Sequence, residues 1–422
     1  MPIPKCRNPK ELNDYRPIAL TSIIAKCFER IIRELILADL EDKLDPFQFA
    51  YQTNKSTEDA IISLVHLVLN HINVNPKDHY SKILFVDYSS AFNTIVPSTL
   101  VSKMSSLGIR SSLVKWIDSF LYSRGQHVRI ATNVSHSLSE NVQSYHIETF
   151  FSQNLFISTG CPQGCVNSPL LFMIYTNDLL SNINDSFLIK FADDTALVYN
   201  MKMSENNSQN KYLNEIHKLT EWCDQNKLLL NAKKTKEMVV KFSCGNPNLD
   251  SLVINGQTVE RVDEFKYLGI QVDNRFSFSS HVDIKVTDAR RKITLLRRAR
   301  TFNISKKVLK NFCDSVVLGS LTYAICCYAG NLSVRDKSKI NRLIKLCSKI
   351  SSCNILSFDE LYSKTVLKKT RKIIDNNVLP VCNFYSKLPS GRLSSVRTFA
   401  NVFNNSFVPV SIRKFNGSFV RR

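Results

Sequence analysis

The sequence has no secretory signal, no CxxC pair, no bilayer-length apolar run and no internal repeat, and each absence removes a class of protein. Met1-Pro2-Ile3-Pro4-Lys5 opens the chain without the apolar core region that a signal peptide needs. The 12 cysteines stand singly apart from Cys326-Cys327. Cys161 and Cys165 are close, but no histidine or second pair completes a zinc set. This predicts free, mostly buried thiols in a reducing compartment. An intracellular protein of the nucleus or cytoplasm, not a secreted one, is expected. The longest weakly polar run, Ser315 to Gly330, is too short and too polar to span a bilayer, so no membrane partner is expected. The histidines form no triad or metal cluster, and nothing points to a particular protein partner.

Acid is also short. Lys plus Arg is 56 against 36 Asp plus Glu, giving +20. Such a charge favours a polyanion, nucleic acid above all, although a solvated basic surface reads the same way. The excess gathers in the back third. From Arg290 to Lys310 there are nine basic residues and no acid, and from Leu361 to Arg422 twelve basic residues and one acid, Asp375. What is present in ordinary measure is apolar content, 44%, enough for two or three domains with cores of their own.

Apolar spacing places the elements. Ser22 caps a helix running roughly to Asp42, with Ile24, Cys27, Phe28, Ile31, Ile32 and Leu35 forming one apolar face. Lys55-Ser56-Thr57-Glu58-Asp59 starts another, through Ile61, Leu64, Val65 and Val68. Ile83-Leu84-Phe85-Val86 reads as a central strand ending at Asp87, and Pro97 opens a helix closed by Gly108. The Ser/Asn-rich stretch from about Asn133 to Asn154 reads as a long loop or insertion. Ser158 to Gly164 is a turn before an apolar helix, and Phe187 to Phe191 and Ala196 to Tyr199 read as strands of a hairpin. From His281, Val282, Val286, Ala289, Ile293 and Leu296 recur at helical spacing, and the remainder is mostly helical.

The chemistry sits on that hairpin. Asp193 and Asp194 lie at its tip, where neighbouring carboxylates repel unless a divalent cation joins them. Asp87 ends a strand 106 positions before Asp193, so the carboxylates can meet at one sheet edge. Carboxylates from two such elements are what two-metal phosphoryl transfer needs.

These segments, in this order, resemble the reverse transcriptases of non-LTR retrotransposons, jockey-like and related LINE-type elements in particular. The resemblance runs almost end to end, over PIPK…LNDYRPIALTS, DPFQFAYQTNKSTEDA, ILFVDYSSAFNTI, STGCPQGCVNSPLLFMIYTNDL, IKFADDTALV, WCDQNKLLLNAKKTKEMVV and FKYLGIQVD, then LPSGR and NNSFVPVSIRKFN. It implies an α/β (α+β) right-hand polymerase: fingers and palm around a small antiparallel sheet over residues 1–273, then a basic, mostly helical thumb and C-terminal extension over 274–422. It implies RNA-directed DNA polymerisation with two Mg²⁺ ions, Mn²⁺ as a substitute, and an RNA template, a DNA primer and dNTPs as partners. Asp87, Asp193 and Asp194 match the metal carboxylates, and the Tyr88 carbonyl a metal contact. Lys234 matches the lysine that protonates pyrophosphate. Phe92 matches the residue beneath the deoxyribose, and Gln163 and Gly164 the turn positioning template and nucleotide. Arg16 and Lys55 fall in finger segments near the triphosphate, and Tyr267, Leu268 and Gly269 match the primer grip.

Three departures stand out. Gln52 replaces an arginine usual in relatives, the stretch from Ser135 to Phe156 is longer than usual, and the sequence begins at the polymerase segment without the upstream endonuclease such elements carry. A truncated or decaying copy is therefore expected, and an inactive nucleic-acid-binding relic is the rival of a different class. A viral RNA-dependent RNA polymerase is the rival within the enzymes; Ala192 before the aspartates and bulky Phe92 argue against it.

Overall fold

The computed structural model describes all residues except 42, 140–141, 182–184, 244–249, 376–379 and 419–422, with the side chains of 13 and 132–146 also left aside. The chain forms two compact units, one of Met1–Asp45, Tyr88–Leu180 and Lys218–Leu230, the other of Pro46–Asp87, Ser181–His217 and Asn231–Arg422.

The larger unit is built on helix α1, Thr57–Val74, and a five-stranded sheet. Ser56 caps α1, as the sequence predicts, its hydroxyl accepting from the Asp59 N–H. The strands are β1 His79–Val86, β2 Ser186–Phe191, β3 Asp194–Lys202, β4 Lys236–Val240 and β5 Glu260–Arg261, in the order β5-β4-β1-β3-β2. All pairs are antiparallel except β4 with the short edge strand β5. Every residue of β1 is buried, which its position between β3 and β4 requires. A polar cluster crosses this sheet. Glu237 accepts from the Tyr212 hydroxyl at 3.0 Å and Arg261 Nε at 2.9 Å, and Lys82 Nζ lies 3.6 Å from it. Lys82 and Glu237 are both inaccessible to solvent, and burial pulls the Lys82 pKa down against the pull of Glu237.

A hairpin of β6 Glu264–Tyr267 and β7 Ile270–Asp273 follows. The Asp273 carboxylate accepts the N–H groups of Arg275, Ser277 and Phe278 and turns the chain into α2, Ser279–Thr301. The α2 face with Val282, Val286, Ala289, Ile293 and Leu296 is buried, as its spacing predicts. No strand is assigned after Asp273 among the described residues. The helices there share one core with α1 and the sheet, from Phe49 and Ile83 to Val366 and Ile412. Lys369 pairs with buried Asp59 at 2.7 Å, and the Phe399 and Ala400 N–H groups bind Asn73 Oδ1. The helical run Lys306–Asn331 is long and apolar enough, by length and composition alone, to cross a membrane, which corrects the shorter run read from the sequence. Cys313, Val317, Leu321, Ile325 and Tyr328 bury into the shared core, which accounts for that composition.

In the smaller unit Ser22 caps the helix Ile23–Asp39, its hydroxyl accepting from Ala25. The buried residues of this helix are Glu29, Ile32 and Ile36, whereas Ile24, Cys27, Phe28, Ile31 and Leu35 face solvent. Of the apolar stripe the sequence announces, only Ile32 lies on the face that packs. Glu29 Oε2 instead accepts the Val166 and Asn167 N–H groups at 2.7 and 3.0 Å, satisfying donors at the start of the buried helix Ser168–Tyr175. The expected loop from Asn133 to Asn154 is corrected to a ladder: Arg129–Ser139 pairs antiparallel with Val142–Phe151. Among the described side chains of this ladder Ile130, Ile147, Phe150 and Phe151 are exposed, so at these positions no burial imposed the alternation that would have revealed strands. The described cysteines are all free, most of them buried, with Cys6 and Cys27 exposed.

Candidate active site

Strand register assembles the larger unit's charged groups. Val86 pairs with Thr195 and Phe85 with Lys236. Asp87 follows the Val86–Thr195 pair at the end of β1, beside the Asp193-Asp194 tip. On the other side the ladder ends at Lys236 and the chain turns over 232–234, so Asn231 meets the Asp87 backbone: its N–H donates to the Asp87 carbonyl at 2.8 Å, and the Asp87 N–H reaches Thr235 Oγ1 at 3.4 Å. From that turn the Lys234 ammonium comes to 4.0 Å from the Asp87 carboxylate.

Asp193 sits with Ala192 in the two-residue turn between Phe191 and Asp194. Ala192 takes φ +57, the corner that tight hairpins demand and non-glycine residues resist. Gln48 supports it: its Oε1 accepts the N–H groups of Ala192 and Ala50, at 3.3 and 3.0 Å. Gln48, Asn231, Thr235 and Tyr51 were missed as site residues. Gln48 and Tyr51 stand in the DPFQFAYQ stretch, but only the tertiary structure brings that stretch to the hairpin.

The carboxylates crowd one another. Asp194 is open to solvent at the tip, yet surrounding protein, Asp193 and Asp87 push its pKa up to about 6. Burial also raises Asp87, opposed by Lys234 and helped by Asp193. Burial and then Asp193 and Asp194 raise the Tyr51 phenol. Tyr267 is buried, its ring 5.4 Å from Phe85, and its phenol is raised by burial first and Asp194 second. Tyr267-Leu268-Gly269 forms the β6–β7 turn, with φ +45 at Leu268 and +85 at Gly269. Lys55 is engaged by the Pro46 and Gln48 carbonyls at 2.8 and 3.1 Å.

Three carboxylates with only Lys234 beside Asp87 to offset them make an oxygen-rich cluster that fits a hard divalent cation. Among the described residues, no three His, Cys, Asp or Glu side chains are placed to hold an ion unaided. The carboxylates thus fit a cation that keeps water and takes further oxygens from substrate, as magnesium does.

Tyr88, Phe92, Arg16, Gln163 and Gly164 belong to the smaller unit. Tyr88 is buried and bridges to Leu230. The Phe92 ring packs 4.9 Å from Phe172, and its carbonyl accepts from Cys161 N–H at 2.7 Å. The Gln163 carbonyl accepts from Ala19 N–H at 2.6 Å, and its side chain reaches Asn93 Oδ1 at 3.3 Å. Gly164 has φ +102, and a Cβ there would lie 3.0 Å from the Ala19 carbonyl, so that turn requires glycine. Arg16 is exposed on a short strand paired with Pro2–Pro4.

A carboxylate-tipped hairpin beside a carboxylate-ended central strand is the arrangement the sequence leads one to expect of a polymerase palm. The family profile described as "Reverse transcriptase (RNA-dependent DNA polymerase)" matches residues 3–272, and the chain belongs to that family, with its right-hand polymerase fold and divalent-metal dependence. Among its relatives is the RNA-directed DNA polymerase from mobile element jockey of Drosophila melanogaster, 24% identical over 352 residues, covering 80% of this chain and 35% of the relative. Another is the probable RNA-directed DNA polymerase from transposon BS of the same fly, 27% identical over 279 residues, 64% of this chain and 28% of the relative. The expected kinship with jockey-like elements holds, and the chain spans about a third of the length of these relatives. A solved structure of apo telomerase from Candida tropicalis aligns over 83% of this chain and 58% of its own, at 12% identity and a TM-score of 0.35.

Proposed function

We propose that the chain is the RNA-directed DNA polymerase of a non-LTR retrotransposon, adding dNTPs to a primer 3′-hydroxyl on an RNA template. The observation that carries this reading is Asp87 at the end of β1 beside the Asp193-Asp194 tip, with the Lys234 ammonium 4.0 Å from Asp87. Asp87, Asp193 and Asp194, with the Tyr88 carbonyl, would hold two Mg²⁺ ions, with Mn²⁺ a substitute. When bound, these ions acidify the primer hydroxyl and neutralise charge on the phosphates. Lys234, beside Asp87, delivers a proton to the departing pyrophosphate. Gln163 and Gly164 orient template and nucleotide, Phe92 excludes a 2′-hydroxyl, Arg16 and Lys55 serve the triphosphate, and Tyr267, Leu268 and Gly269 seat the primer. Fingers and palm occupy 1–273, and thumb and extension 274–422; the change from strands to helices after Asp273 supports that division. We place the protein inside the cell, in the nucleus or cytoplasm.

Primer extension on poly(rA)/oligo(dT) tests the assignment. Asp193→Asn should lower extension by several orders of magnitude while template binding persists. Undiminished synthesis by this variant would falsify it, and a wild-type chain that binds but never extends would favour the relic.

A further inference from the structure

Tyr323 lies in the break between the helical segments Gly319–Leu321 and Ile325–Tyr328, where Ala324 takes φ +49. Its hydroxyl is 2.9 Å from the Leu268 carbonyl and 2.8 Å from Thr57 Oγ1. A phenol has one proton, and the carbonyl can only accept. Tyr323 therefore donates to Leu268, and Thr57 donates to Tyr323, giving a directed chain from the start of α1 to the β6–β7 turn. The ring lies against the same turn: a Cβ on Gly269 would sit 3.2 Å from Tyr323 Cε1. Lys285 of α2 stands 5.6 Å from the ring centroid.

The turn needs such a hold. Leu268 is a branched, bulky residue at φ +45, a conformation that side chains other than glycine's resist. Its carbonyl is fixed by a side chain that follows Asp273 by fifty positions and belongs to the helical region. Resting on the polymerase reading, in which Tyr267, Leu268 and Gly269 seat the primer, we propose that Tyr323 is a positioning residue for the primer strand. It fixes the turn against α1 and α2 and sets where the primer terminus lies. Nucleotide binding does not depend on it.

Steady-state kinetics of the full chain on poly(rA)/oligo(dT) test this. Tyr323→Phe keeps the ring and removes the hydroxyl. The primer–template KM should rise about two- to tenfold, the worth of one neutral hydrogen bond, while the nucleotide KM stays put. Thr57→Val, which removes only the donor to Tyr323, should shift primer–template KM in the same direction by less. An unmoved primer–template KM in Tyr323→Phe, or an equal rise in both KM values, overturns the proposal. A wild-type chain that makes no DNA overturns the polymerase reading instead. Hydrogen exchange across Glu264–Asp273 then separates the two: faster exchange in Tyr323→Phe upholds the clamp on the turn, and equal exchange removes it.

Discussion

At the hairpin tip the protein holds charge it does not itself compensate. The Asp194 pKa stands at about 6, above the ordinary 3.8. Between those values the folded chain binds a proton that the unfolded chain has lost, so this group's contribution to stability falls as pH rises through that window and is flat on either side. Asp194→Asn should therefore stabilise the metal-free protein at pH 7.5, with the advantage gone below about pH 4. Thermal melts at the two pH values check this; equal shifts at both would contradict it. Added Mg²⁺ should raise the wild-type melting temperature more than the variant's, because binding to the folded state alone stabilises it. Phe92 belongs to the same scale. Phe92→Val should raise ribonucleotide relative to deoxyribonucleotide incorporation without altering metal dependence, since the larger ring discriminates by steric exclusion.

Among the elements, the five-stranded sheet depends on a buried ionic cluster. Glu237 balances Lys82 where water does not reach, binds the partly exposed Arg261 on its other side, and accepts from the Tyr212 hydroxyl. Removing one partner of a buried pair costs about 3–5 kcal/mol, because the other charge is left uncompensated. Glu237→Leu should lower stability by that order in denaturant titration. Lys82→Met with Glu237→Leu should recover part of the loss, and additive losses would show that the two do not form a pair. The register of β4 against β1 fixes the turn that carries Lys234, so a one-residue slip of β4 would move its ammonium away from Asp87.

Over the whole molecule, the basic excess becomes a surface. Arg290, Arg291, Arg297 and Arg298 are all exposed on α2, while Val282, Val286, Ala289, Ile293 and Leu296 are buried. If this face neutralises duplex phosphates, affinity for primer–template falls with salt by roughly 0.7–0.9 log units per log salt for each contact. Changing these four arginines to Gln should flatten that slope by up to roughly 3 units if each makes one contact, read by anisotropy at several salt concentrations. An unchanged slope would put the main contacts elsewhere. Substitution is a better probe than truncation near residue 275, because the helices after Asp273 share the core of α1 and the sheet.

Sequence alone determined the strand that carries Asp87, the Asp193-Asp194 hairpin, the capped helices and the family, because strand periodicity, cap residues and motif order are local properties of the chain. It also placed Lys234 near the aspartates through resemblance. Tertiary structure alone decided which face of Ile23–Asp39 packs, since burial there follows Glu29 and its backbone partners and not the larger apolar stripe. It alone turned the Ser/Asn-rich stretch into a ladder, because backbone pairing there runs through residues that carry no hydrophobic alternation. It alone brought Gln48, Thr57 and Tyr323 to turns remote from them in sequence. Hydrogen bonds between distant segments leave no periodic mark in the chain, and only the packed core sets their partners at bonding distance.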